Sequence, residues 1–208
     1  INTVMYYGPK IILSTGIKIG GFESAEQLAI VLNLPLALMN ALGSTAATFF
    51  IDRIGRRYII VRSLPFLFIA CCVIATAMYL STYTTGSSAL VGNYMALGGL
   101  ILYLAFFSIG FSATVWSVNA EIYPIHLIGT ASSLATATNW ISNFAVSASF
   151  LTILSTDPGK VYAFLILGGF TLAAVAFVYF LLPETKGKPI SENVDNILNH
   201  RLESEKKD

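Results

Sequence analysis

Apolar residues run in long blocks along this chain, and charged residues are confined to the short breaks between them. A helix crossing the hydrocarbon core of a bilayer needs about 20 residues. Six blocks approach or exceed that length: Ile1 to about Ile17, Leu28 to Ile51, Tyr58 to Leu80, Tyr94 to Val118, Leu127 to Leu154, and Tyr162 to Leu182. The breaks hold Gly20-Gly21 with Glu23 and Glu26, then Asp52 to Arg57, Thr84 to Ser88, Glu121 to His126, and Asp157-Pro158-Gly159. No block shows the two-residue alternation of a barrel strand, and a lone helix in lipid satisfies its own backbone. The pattern predicts an all-α membrane protein with six transmembrane helices in residues 1–182. From Pro183 the chain turns polar, and Ile190, Val194, Ile197 and Leu198 predict a short amphipathic helix in a tail of residues 183–208.

Composition agrees. Of 208 residues, 55% are hydrophobic and 11% charged, against about 25% charged in soluble domains, and mean hydropathy is +0.72. The net charge of +1 gives no electrostatic case for nucleic acid. Cys71 and Cys72 are adjacent within an apolar block, where they read as small packing residues. Ile1 opens straight into an apolar block, with no initiating Met, signal peptide or cytosolic lead, so the chain reads as part of something longer.

Charge asymmetry sets the expected orientation. With six spans, one side holds Arg53, Arg56, Arg57, Arg62, Lys186, Lys188, Arg201, Lys206 and Lys207, and the other only Lys10, Lys18 and Lys160. The basic side, with the C-terminus, is expected to be cytoplasmic.

Polar side chains inside a span are costly and each needs a reason. Asn2 and Tyr6 lie one turn apart on the first span, with Tyr7 alongside and Gly8-Pro9 following. Proline removes an N–H and clashes with the preceding turn, so a kink is expected there, either an ordinary one or a transporter hinge. Asn40 is mid-span, and Asn139 and Asn143 lie four apart on the fifth span. Ser108 and Trp116 are eight apart and are expected to share a face of the fourth span. A single intramembrane Asn is more often glue between helices. Three of them, with Trp116 and Phe107 to pack on a C–H face and no central Asp, Glu or His, suggest a neutral polyhydroxy ligand. No residue set points to catalysis, a metal or a cofactor.

Three motifs bring a family into view: Asp52-Arg-Ile-Gly-Arg-Arg57, Glu121-Ile-Tyr-Pro124 and Pro183-Glu-Thr-Lys-Gly187. They resemble the signatures of the sugar porter family of the major facilitator superfamily, which follow its eighth, tenth and twelfth helices. The resemblance implies the C-terminal half of that fold, with an N-terminal six-helix half and membrane lipid as partners. Asn2-Thr-Val-Met-Tyr-Tyr7 resembles the Asn–Tyr-Tyr element of the seventh helix. Trp116 to Pro124 and Asn139-Trp-Ile-Ser-Asn143 are similar to the inositol transporters, and Ser108 replaces a glutamate of many hexose carriers.

By that resemblance Asn2, Asn40, Trp116, Asn139 and Asn143 bind the ligand, and Phe107 and Ser108 line the cavity. Tyr6 and Tyr7, with Gly8 and Pro9, belong to a gate. Asp52, Arg53, Arg56, Arg57, Glu121 and Glu184 form a cytoplasmic charge network. Two departures carry expectations. Ser112-Ala-Thr-Val115 replaces a proline-containing stretch, so the fourth span is expected to be stiffer than in the family. Ile128 replaces an arginine, leaving the network one cation short, which lowers the barrier between inward and outward states or upsets their balance.

The resulting expectation is a myo-inositol transporter working by alternating access, with a hexose transporter as the alternative. A non-transporting sensor or interaction module is the alternative of another class. Proton coupling would lie in the N-terminal half, and the plasma membrane is favoured over an organelle.

Overall fold

A computed structural model describes residues 2, 4, 5, 8, 11, 25–187 and 189–194. Its helices are α1 (Ala25–Ile54), α2 (Arg56–Tyr83), α3 (Ser87–Phe111), α4 (Thr114–Glu121), α5 (Ile128–Leu154) and α6 (Asp157–Leu181). Asn2, Val4, Met5, Gly8 and Ile11 are helical too, within the first expected span. Tyr6, Tyr7 and Pro9 lie outside the described residues. The tail is helical over 190–194; Ile197 and Leu198 also lie outside.

By length and composition, the segments Asn33–Ile54, Arg56–Tyr83, Ser87–Glu121 and Asp157–Leu181 can cross a membrane. The fifth expected span, α5, is long enough but is loaded with Ser, Thr and Asn and is not among them. It has one buried residue, Phe150, whose ring meets Phe164 of α6 edge-on at 5.9 Å. A helix this polar and this lightly packed suits a wall of a wet cavity better than a lipid-facing position.

Small residues set the tightest packing, as they do where no hydrophobic force drives helices together in lipid. A Cβ on Gly99 of α3 would come 2.7 Å from Ile74, and one on Gly110 would run into the Ser63 hydroxyl. These glycines let α3 lie directly against α2, and α2 in turn packs on α6 while α1 packs on α3. Ile74, Met78, Leu100, Leu104 and Phe164 fill the centre.

The fourth span is interrupted at Ser112-Ala113, which divides α3 from α4, although no proline is present. Pro35 and Pro65, by contrast, sit inside α1 and α2 without ending them. The break is held by hydroxyls. Ser112 Oγ and Ser44 Oγ of α1 are 2.9 Å apart, and the N–H and hydroxyl of Ser117 both donate to the Ala113 carbonyl. Side-chain oxygens that compete for backbone groups commonly bend helices in this way. Ser108, before the break, is fully buried, whereas Trp116, beyond it, is 49% exposed.

Candidate functional site

Two adjoining clefts form a trough along α5. One, of about 290 Å³, is lined by Asn2, Val4, Tyr103, Phe107, Asn139, Ser142, Asn143, Val146 and Leu167. The other, of about 600 Å³, shares Asn139 and Ser142 and adds Tyr123, Leu134, Thr138 and two alanines. None of these described residues is charged. The trough thus brings together Asn2, Phe107, Asn139 and Asn143 from three separated stretches of chain. Asn143 Oδ1 accepts from Ser147 Oγ at 3.3 Å. On α3, Tyr103, Phe107 and Phe111 stack in sequence, with centroids 6.1 and 5.4 Å apart. That gives an aromatic strip opposite a row of amides.

Three expected residues are placed differently. Ser108 does not line the trough; it is buried and donates to Asn40 Oδ1 at 2.7 Å. Asn40 is half-buried beside it and does not line either cleft. Trp116 is half-exposed on α4, beyond the break, and also lines neither. Sequence reasoning missed Tyr103 and Ser142. Both carried a signal: Tyr103 precedes Phe107 by one helical turn, and Ser142 follows Asn139 by three residues.

At one end of the bundle the three motifs converge. Arg56 Nη2 lies 3.0 Å from Asp52 and 3.1 Å from Glu121. Glu184 Oε1 accepts from the backbone N–H of Arg56 at 3.0 Å and of Lys186 at 3.1 Å. Gly55, the N-cap of α2, has no side chain to offer, so Glu184 caps that helix from a distance. Lys186 Nζ donates to the Arg53 carbonyl at 2.5 Å, and Arg57 Nη2 to the Tyr179 carbonyl at 2.6 Å. Cations thereby meet the C-terminal carbonyls of α1 and α6. Glu121 Oε2 is enclosed without a hydrogen-bond partner, and Ile128 supplies no cation to it. Among the described residues, no group of His, Cys, Asp and Glu could hold a metal ion.

A polar, uncharged trough lies on a bundle of long apolar helices, as in a multi-pass membrane protein. The chain belongs to the sugar transporter family: the model described as "Sugar (and other) transporter" matches residues 1–196. It is 33% identical over 192 residues to "Sugar transporter ERD6-like 8" of Arabidopsis thaliana, covering 92% of this chain and 38% of that protein. It is 31% identical to "Probable inositol transporter 2" of the same plant, over 97% of this chain and 46% of that protein. The fold matches the proton:xylose symporter XylE, a major facilitator superfamily protein, solved with 6-bromo-6-deoxy-D-glucose. There the TM-score is 0.76 and the identity 24%, over 94% of this chain and 39% of that one. The chain therefore spans less than half the length of these relatives. They are transporters, not enzymes.

Proposed function

We propose that this chain forms one half of the substrate pathway of a myo-inositol transporter that works by alternating access. The observation that carries the reading is the trough itself. Asn2, Asn139 and Asn143 present amides, Tyr103 and Phe107 present ring faces, and no charged side chain is among its described lining residues. Amides donate and accept, as hydroxyls do, and aromatic faces suit the C–H side of a cyclitol. Ligand would sit between this half and an N-terminal half, with each state exposing it to one side. Gathering of Arg53, Arg56, Arg57 and Lys186 at one end supports a cytoplasmic C-terminus there. The relative named as a probable inositol transporter supports the choice of solute.

Uptake of labelled myo-inositol and of glucose by the full-length protein in proteoliposomes tests the reading. Saturable inositol flux that excess glucose does not suppress is the expected result. Preferential glucose uptake selects the hexose alternative, which the sugar-transporter relative supports. Absence of flux for both solutes favours a sensor or interaction module.

A further inference from the structure

We propose that the cleft between the first turns of α2 and the C-terminal end of α6 holds the headgroup of an anionic phospholipid. The cleft measures about 350 Å³ and is lined by Arg57, Tyr58, Val61, Tyr179 and Glu184. It shares no residue with the trough, so it concerns a lipid and not the transported solute.

Its surroundings are those of a lipid-facing surface. Phe177, Phe180 and Leu181 of α6 and Phe66 and Ile69 of α2 are large, apolar and exposed. Tyr58, Arg62, Phe66 and Ile69 follow at helical spacing, so they run along one face of α2. That face needs hydrocarbon over most of its length. Tyr58 and Tyr179 are exposed at the mouth of the cleft. Tyrosines gather where acyl chains give way to headgroups, because the ring is apolar and the hydroxyl wet.

Arg62 is exposed on that same face, about 9 Å along α2 from its first residue. A guanidinium in hydrocarbon is costly. Its Cζ lies 4.4 Å from the centroid of the Tyr58 ring, so the side chain reaches back one turn toward the start of the helix. There it has no carboxylate partner among the described residues. Arg57, inside the cleft, is in the same condition. Its Nη2 donates to the Tyr179 carbonyl at 2.6 Å, its Nε is enclosed without a partner, and it forms no ion pair among the described residues.

Glu184 does not neutralise the two arginines. Its Oε1 is already engaged by the backbone N–H groups of Arg56 and Lys186. Two cations therefore stand against one committed carboxylate, and an excess of positive charge is left at the membrane surface. A phosphodiester is the anion a bilayer offers at that level. Arginine forks onto phosphate oxygens, and each basic residue near the surface draws anionic lipid. Arg57 makes the direct contact in the cleft, Arg62 adds its field beside Tyr58, and the acyl chains lie along the exposed apolar face.

The test titrates the full-length protein in detergent with dioleoyl phosphatidylglycerol and measures retained lipid by native mass spectrometry. Arg57→Gln should weaken retention about tenfold. Arg62→Gln should weaken it about fivefold; this side chain touches only the Tyr58 ring, so the variant serves if Arg57→Gln does not fold. Lys160→Gln removes the same charge at the opposite end of α6 and should change nothing. Phosphatidylcholine should be held about tenfold more weakly than phosphatidylglycerol. Glycerol 3-phosphate, a headgroup without chains, should not displace the lipid at equal concentration.

Unchanged retention in both arginine variants overturns the proposal. An equal loss in Lys160→Gln does so too, since it would show diffuse attraction with no site. Equal retention of phosphatidylcholine removes the anionic requirement, and displacement by glycerol 3-phosphate makes the cleft a site for a soluble anion; either result overturns the lipid assignment. None of these readouts involves uptake, so the transport reading stands or falls separately.

Discussion

Glu184 accepts a hydrogen bond from the backbone N–H of Arg56 at 3.0 Å, across 128 residues of chain. This one contact ties the segment after α6 to the start of α2 and supplies the cap that Gly55 lacks. Glu184→Ala removes the acceptor for two backbone N–H groups and should lower stability by about 1.5–3 kcal/mol. Glu184→Gln keeps an acceptor oxygen and should cost less. Thermal unfolding in detergent of the two variants beside the wild type measures the difference. Equal losses would show that charge alone matters.

Gly55 has φ 108° and ψ 147°, and a Cβ there would come 2.9 Å from Glu184 Oε2. That backbone region is nearly closed to other residues and costs about 1–3 kcal/mol to occupy. Gly55→Ala should therefore destabilise on two counts. Gly86, at φ 69° with nothing within 4 Å of an added Cβ, should lose less on the same change. The gap between the two melting shifts reports the carboxylate contact.

The α2–α3 interface gives a sharper contrast. Gly110→Ala drives a methyl into Ser63, whereas Gly98→Ala meets open space and gains helix propensity of about 1 kcal/mol. Loss of folded protein is expected for the first and slight stabilisation for the second, read by size-exclusion recovery from detergent.

Asn139 is exposed on α5 and lines both clefts. Asn139→Ala should raise the KM for inositol about tenfold, one lost hydrogen bond to a polar ligand, and leave the melting temperature unchanged. Unaltered uptake kinetics would remove Asn139 from the binding surface.

Orientation can be read by labelling. Lys160 lies in the first turn of α6 and Lys186 beyond its C-terminal end, so single cysteines at the two positions should react from opposite faces. A membrane-impermeant thiol reagent on intact cells should reach Lys160→Cys and not Lys186→Cys. The opposite result would place the C-terminus outside.

The sequence by itself determined the helical class, because hydrocarbon solvent admits few backbone solutions and long apolar blocks reveal them. It also determined the family, through three charged motifs whose spacing is linear information. Blocks from Leu28 onward reappear as α1 to α6 within a few residues at most ends, apart from the split fourth. Asn2, Asn139 and Asn143 were conspicuous in the sequence because polar groups stand out in apolar surroundings, and the structure puts all three, with Phe107, along one cleft.

Only the tertiary structure decided which polar groups face each other. Ser108 and Asn40 satisfy one another across α1 and α3, so Ser108 is lost to the trough; a sequence cannot show which helix supplies a partner. The break at Ser112-Ala113 was hidden for the same reason. It carries no proline, and its support comes from Ser44, 68 residues earlier. Helical periodicity also says nothing of depth in the bundle: Ser108 is fully buried and Trp116, eight residues on, is half-exposed. Glu184 capping α2 is likewise invisible in one dimension, since a hydrogen bond depends on distance in space rather than along the chain.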